Sequence, residues 1–201
     1  MNGIAAVILM GGRGERLGGA DKAMLEVGGR TMLARVTAAT EGCSPLLHAT
    51  GRETRPELGA ISVADIAGDY AGPLAGVAAA VDALADSTVT YLLSLAVDTP
   101  FFPADFLAQA LPPIGDADVV LGAYGAQDYP PNSLWRLSAL ADLPEEVRAG
   151  TAPRSLKRLA ERLRSVRLDY ATLAPQDPFA NANTPQDLAN LRRRAADESR
   201  G

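Results

Sequence analysis

The residues best suited to chemistry crowd between Ile8 and Leu33, in ILMGGRGERLGGADKAMLEVGGRTML, where seven glycines, four bases and three acids follow an apolar start. Glycine lets backbone N–H groups come close to an anion while Lys and Arg neutralise it, so the stretch suits a phosphate chain. A Walker A loop would need G-x-x-x-x-G-K-[ST], but Lys22 follows Asp21 and precedes Ala23. The dinucleotide fingerprint fails as well, because its third glycine would fall on Leu17. What remains is a long glycine loop with Arg13, Arg16 and Lys22 at intervals, which fits an extended triphosphate; the alternative is a surface turn with solvated charges.

Such a loop works only if regular elements hold it. Ile4 to Met10 is apolar without alternation and stops at glycine, as a fully buried strand of a parallel sheet does. The spacing predicts a helix from Thr31 to Thr40, short strands at Pro45 to Thr50 and Ala60 to Ala64, and a small-residue helix from Leu74 to Leu84. Val89 to Val97 reads as a central strand ending at Asp98. A helix that Pro103 could begin follows, then a strand around Asp118 to Ala123 and another near Ser133 to Leu137. Helical segments within Leu140 to Leu163 lead to a strand at Val166 to Leu168. The last helix starts beside Pro185 with Thr184 as N-cap and passes Leu191 into a charged tail, frayed from about residue 193.

Strands alternating with helices predict an α/β fold: one three-layer, Rossmann-like domain over residues 1–201, with a mostly parallel sheet. Sheets of this kind bind ligands beyond the carboxyl ends of their strands. The glycine loop, after Met10, and Asp98, after Val97, both fall at such ends, so they could share one crevice.

Composition narrows the partners. A chain of 201 residues with 47% hydrophobic content can bury a substantial core. With 24 acids against 19 bases the formal charge is −5, which argues against a surface built to attract nucleic acid, so a bound anion must be met locally. Cys43, the one cysteine, excludes an internal disulfide framework and a cysteine-rich metal site, and fits a reducing compartment. The start MNGIAAVILMGG has an apolar run of about seven residues and no basic flank, too short to span a bilayer and unlike a secretory signal. The expectation is a cytoplasmic protein without a membrane partner.

Leu9-Met10-Gly11-Gly12, with Arg16-Leu17-Gly18 and Asp21-Lys22, resembles the L-A-G-G-x-x-x-R-M-G-x-D-K signature of sugar-nucleotide-type nucleotidyltransferases, most closely the MobA type, the molybdenum cofactor guanylyltransferases. Three further segments are similar to that family's: DIAGDYAGPLAG, Asp65 to Gly76, to D-x-x-x-x-x-x-G-P-L-A-G; AVDTPF, Ala96 to Phe101, to its D-x-P-[FY] strand end; and FANANTPQDL, Phe179 to Leu188, to F-x-N-x-N-T-P-x-D-L. Together the four span nearly the whole chain in the family's order.

The resemblance implies a nucleotidyltransferase domain that moves GMP from GTP to molybdenum-loaded molybdopterin, giving the guanine dinucleotide cofactor and pyrophosphate. A molybdoenzyme or its maturation chaperone would be a further partner. The same loop and D-x-P elements occur in cytidylyltransferases of this cofactor, and a non-catalytic nucleotide-binding maturation partner is the alternative from another class. By the resemblance, backbone amides of Leu9, Met10, Gly11 and Gly12 hold the nucleotide, Arg16 and Lys22 neutralise the departing pyrophosphate, and Asp98 anchors Mg²⁺ while also able to cap a helix. Asp65, seven residues before Gly72 and so favoured over Asp69, would lie near the guanine or a ribose hydroxyl. Asn181 and Asn183 either orient phosphate or metal-bound water or form a turn and cap before Pro185. Gly72 to Gly76 serves packing or substrate proximity.

DYPPNSLW, Asp128 to Trp135, resembles the family's D-H-P-x-x-x-L-W, with Tyr129 in place of histidine, where the acceptor pterin is expected. Tyr129 and Trp135 either stack on a flat ring or fill the core. Arg154 is either a contact for an anionic acceptor or a solvated arginine. Two departures stand out: Met10 where the family has alanine, and His48-Ala49-Thr50 where it has N-x-N. His48 either replaces an amide at the nucleotide or is structural.

Overall fold

A computed structural model describes residues 3–10, 21–51, 60–66 and 70–198. Gly11, Gly12, Arg13, Arg16 and Asp69 lie outside them. Among the described residues the chain runs β1 (Ile4–Leu9), two-residue strands β2 (Glu26–Val27) and β3 (Arg30–Thr31), α1 (Met32–Ala38), β4 (Leu46–Ala49), β5 (Ile61–Val63), α2 (Pro73–Ala83) and β6 (Tyr91–Ala96). It continues through α3 (Phe106–Ile114), β7 (Val119–Tyr124), β8 (Gln127–Arg136), α4 (Leu143–Arg148), α5 (Leu156–Glu161), β9 (Ser165–Asp169) and α6 (Pro185–Glu198).

Seven strands form one sheet in the order β5-β4-β1-β6-β8-β7-β9, and β8 alone runs antiparallel to its neighbours. β1 is buried throughout because both its faces are covered. Ala5, Val7 and Leu9 join a layer with α2, α4 and α5, whereas Ile4, Ala6 and Ile8 join the opposite layer with Val36 of α1 and Phe106, Leu107, Ala110 and Ile114 of α3. The fold is therefore the expected three-layer α/β arrangement with a mostly parallel sheet. No helix among the described residues is long and apolar enough to cross a membrane.

The small residues of α2 are explained by packing. A Cβ on Gly76 would lie 2.9 Å from both Ala49 Cβ and Leu9 Cδ2, so glycine lets the helix settle on the ends of β1 and β4. Gly72 opens the same helix at φ 79°, ψ −158°, a conformation that L side chains rarely adopt, and Pro73 then fits the first turn.

Four elements differ from the sequence reading, one being β8, which begins at Gln127 and not near Ser133. Gly28 and Gly29, both at positive φ, turn a short β2–β3 hairpin that the glycine-rich context hid. α3 begins at Phe106 rather than at Pro103. The C-terminal helix does not fray from about residue 193: it continues to Glu198, since Leu188, Leu191 and Ala195 bury a stripe against Val27 and Met32. Its start is as expected, with the Thr184 hydroxyl accepting the Asp187 N–H at 3.1 Å and Asp187 accepting the Thr184 N–H at 2.8 Å, a reciprocal cap.

His48 lies in β4, opposite Ile8 and Ser62, and is 2% exposed. Neither ring nitrogen has a hydrogen-bond partner. Side chains alternate along a strand, so the ring stands on the face opposite Leu47 and Ala49, which pack with α2. Burial pushes the imidazole below its ordinary range. The folded chain thus keeps His48 neutral where the unfolded chain takes up a proton, near pH 6.5. Stability should fall as pH drops through that value towards the folded pKa, with a limiting slope of about 1.4 kcal/mol per pH unit. Denaturant titrations between roughly pH 5 and 7.5 should show this acid limb in the native chain and a flatter one in His48→Met; identical limbs would mean that the ring finds a proton acceptor.

Candidate active site

β1 and β6 are parallel neighbours with Leu9 beside Ala96, so the chain leaves both strands at one place. Lys22 returns to that place from the far side of the glycine loop. Its Nζ donates to Asp98 Oδ2 and to Asn183 Oδ1, each at 2.8 Å. The Lys22 and Asp98 side chains are both 16% exposed, so their attraction acts where water screens poorly. Three residues expected from three separate motifs therefore meet in one cluster.

Local structure explains how each arrives. Asp21 accepts the Ala23 N–H at 3.1 Å and caps the single helical turn Lys22–Met24, while buried Ala23 anchors it. The lysine is then held at the crevice rather than left on a free loop. Asn183 is set by the cap of α6: its N–H and that of Thr184 donate to Asp187. Hydrogen bonds from the Thr184 hydroxyl, then from the Thr184 and Asn183 backbone, and the nearby Lys22 charge hold Asp187 below the usual carboxylate range. The Ala182 N–H donates to Asp98 O at 3.2 Å, lacing this segment onto the end of β6.

A second fastening was not foreseen. The Phe101 ring is met by two guanidinium groups, Arg194 at 4.0 Å and Arg35 at 5.2 Å from its centroid. Arg194 also donates to Asp177 O at 2.6 Å, and Arg35 to Val27 O at 2.6 Å. The aromatic of the D-x-P-[FY] segment thus joins α1 and α6. In the sequence the two arginines look like ordinary helix-surface charges, far apart from each other and from Phe101.

Beside the cluster opens a cavity of about 430 Å³ whose lining includes Leu9, Met10, Lys22, Asp98, Asn181, Tyr129 and Asn132. Met10 donates its N–H to Ala49 O at 2.9 Å, so that amide belongs to the sheet and is not a donor left for a nucleotide. Asp65 lines a separate narrow cleft with Ala49, Gly72 and Gly76, and the two depressions share Leu9 and Pro73. The Asp65 N–H donates to Gly51 O at 2.7 Å, which fixes its backbone at the end of β5. Tyr129 packs against Phe179 and donates its hydroxyl to Asp177; burial and that carboxylate push its phenol upwards, so it stays neutral. Trp135 is fully buried and donates Nε1–H to Ser94 at 2.8 Å, which makes it core rather than a stacking surface. Arg154 is exposed and lies over the Tyr70 ring at 4.8 Å, lining neither depression.

Among the described residues no three His, Cys, Asp or Glu side chains converge. A lone carboxylate with amide oxygens nearby suits a hard cation that arrives with phosphate oxygens, not a metal held by protein ligands alone.

Residues 6–168 match the MobA-like NTP transferase domain family. The molybdenum cofactor guanylyltransferase of Bradyrhizobium sp. (strain ORS 278) is 36% identical over 204 residues, covering 98% of this chain and 95% of that protein. The protein of that name from Acidiphilium cryptum (strain JF-5) is 38% identical over 188 residues, with 92% of each chain covered. In structure the chain is similar to molybdopterin-guanine dinucleotide biosynthesis protein A from Archaeoglobus fulgidus, at a TM-score of 0.73 and 22% identity over 96% of this chain and 99% of that one; that likeness carries the fold. Sequence, fold and the convergence of Lys22, Asp98 and Asn183 agree, and the chain belongs to the MobA-like NTP transferase family.

Proposed function

We propose that this chain, as one nucleotidyltransferase domain over residues 1–201, transfers GMP from GTP to the terminal phosphate of molybdenum-loaded molybdopterin. The observation that carries the reading is Lys22 held between Asp98 and Asn183 at the joined ends of β1 and β6. An oxygen of the acceptor phosphate attacks the α-phosphorus in line. A new P–O bond forms, the bond to the β-phosphate oxygen breaks, and that oxygen leaves with the electron pair as pyrophosphate. The product is the guanine dinucleotide cofactor, whose destination is a molybdoenzyme or its maturation chaperone. We place the activity in the cytoplasm, where a chain whose one cysteine is Cys43 relies on no disulfide.

Negative charge grows on the departing oxygens, and Lys22 is the described cation positioned to meet it. Asp98 is its counter-ion and fixes its direction. Arg16 and the amides of Gly11 and Gly12 are assigned to the phosphates by the family resemblance. The donor set fits Mg²⁺: Asp98 would hold the ion, with Asn181 and Asn183 orienting phosphate or its water, and once bound the ion neutralises phosphate charge. Asp65 in the narrow cleft is assigned to the guanine edge. Its carboxylate matches two adjacent donors, N1–H and the 2-amino group. Tyr129 borders the acceptor's cavity, and Arg154 stands as an outlying contact for an anionic acceptor.

Lys22→Ala should lower kcat on the order of 10²-fold or more as well as weaken GTP binding, because the ammonium matters most where charge develops. Steady-state kinetics decide it: a change in KM alone would leave Lys22 with uniform binding only. Asp65→Ala should cost GTP far more than CTP or ATP in a turnover panel. Inosine triphosphate, lacking the 2-amino group, should be poorer than GTP for the native chain and nearly equal to it for the variant. An equal loss of all nucleotides would remove Asp65 from base recognition.

A further inference from the structure

Asn132 lies within the Asp128–Trp135 segment but at one of its variable positions, and no role was assigned to it there. In β7 and β8 the ladder pairs Leu121 with Ser133 and then Gly122 with Tyr129, so Pro130, Pro131 and Asn132 are pushed out of register. The prolines cannot donate to a ladder, and such irregularities re-aim side chains. The extrusion is supported from below: a Cβ on Gly122 would stand 2.8 Å from Asn132 O and 2.9 Å from the Phe179 ring. On the other side the β6–β8 pairing ends at Ser94 and Ser133, which leaves the Ala96 N–H beyond it. Asn132 Oδ1 takes that N–H at 2.9 Å.

This bond settles the amide's orientation. A backbone N–H only donates, so the atom facing it is the oxygen and the NH₂ group points elsewhere. The Thr99 hydroxyl lies 3.4 Å from the same oxygen but has one proton, given to Ala96 O at 2.7 Å. The Asn132 nitrogen donates to no acceptor among the described residues, and unlike the His48 nitrogens it is not sealed from its surroundings. Asn132 is 1% exposed and lines the 430 Å³ cavity. An unspent donor, its orientation fixed by the bond to Ala96, thus belongs to a residue that lines that space.

Building on the proposed guanylyl transfer, we infer that Asn132 is a specificity-determining residue for the acceptor substrate, its amide nitrogen donating to a neutral carbonyl oxygen or ring nitrogen of the substrate's flat heterocycle. The nucleotide's base is assigned under the proposed function to Asp65, which lines a different depression, and the inference rests on that assignment. Depth favours the heterocycle over the acceptor's phosphate. Asn132 is tied to Ala96, the last residue of β6, whereas the cation that would meet phosphate is at Asp98, two residues further out. Tyr129, Pro130 and Pro131 beside it supply uncharged walls.

The test is Asn132→Asp, which keeps an oxygen for the Ala96 N–H and puts an acceptor where the donor was, with Asn132→Ser as a second variant lacking the new charge. Binding of molybdopterin is followed by its own fluorescence, GTP affinity by calorimetry, folding by thermal unfolding, and both KM values by steady-state kinetics. In folded variants molybdopterin affinity should fall about tenfold or more, since a polar site built around a donor rejects a mismatch strongly, while GTP affinity stays within about twofold. The acceptor's KM should rise with it and that for GTP should not. Unchanged molybdopterin binding in a folded variant, or an equal loss for GTP, overturns the assignment of Asn132 and leaves the proposed function standing. A native chain that binds GTP but not molybdopterin overturns both.

Discussion

The site depends on one ion pair that is largely withdrawn from water. Lys22 and Asp98 are 76 residues apart in sequence, and their side chains meet at 2.8 Å with little exposure. A lone charge there would lose solvation without compensation, whereas the pair retains mutual attraction and Lys22 adds a bond to Asn183. The parallel register of β1 and β6 makes the meeting possible, because it delivers Met10 and Asp98 to one edge of the sheet. A slip between those strands would separate the glycine loop from the carboxylate.

Around this pair the C-terminal segment acts as part of the site rather than as a trailing helix. The reciprocal cap at Thr184 and Asp187 aims Asn183, and the Ala182 N–H fastens the segment to Asp98 O. Phe101, in contact with Arg35 and Arg194, ties the loop after Asp98 to α1 and α6 by contacts that contribute on the order of 1 kcal/mol each. These bonds link residues 21–35, 96–101 and 177–194 into one support. Changes in α6 should therefore be felt at Lys22 and Asp98 although no residue of the helix lines the cavity.

Two depressions of different chemistry meet at the end of β1. Towards α2 the cleft is narrow, with small residues and Asp65; towards β8 the cavity is wider, with Tyr129, the prolines and Asn132. Leu9 and Pro73 belong to both, which suits a reaction whose partners must meet at one phosphorus.

Much of this was legible in the sequence, for physical reasons that can be named. An unbroken apolar run such as Ile4 to Leu9 has few places to go except the middle of a covered sheet, and glycine, lysine and aspartate at strand ends announce phosphate chemistry through their shape and charge. The cap at Thr184 is a local hydrogen-bond pattern and could be read locally. The missed features are those in which distant chain segments meet or local propensity is overruled. Prolines at 130 and 131 obscured the first half of β8, whose second half was expected near Ser133, because the extruded residues are held by Gly122 and Ala96 from elsewhere in the chain. The charged end of α6 is helical because Leu191 and Ala195 find Val27 and Met32. Trp135 is core and Tyr129 borders the cavity although they share one motif, because the extruded residues 130–132 put them in opposite layers. Sequence alone determined which groups were available and the strand ends that would carry them; tertiary structure decided which of those groups meet, since burial, register and desolvation are properties of contacts between segments.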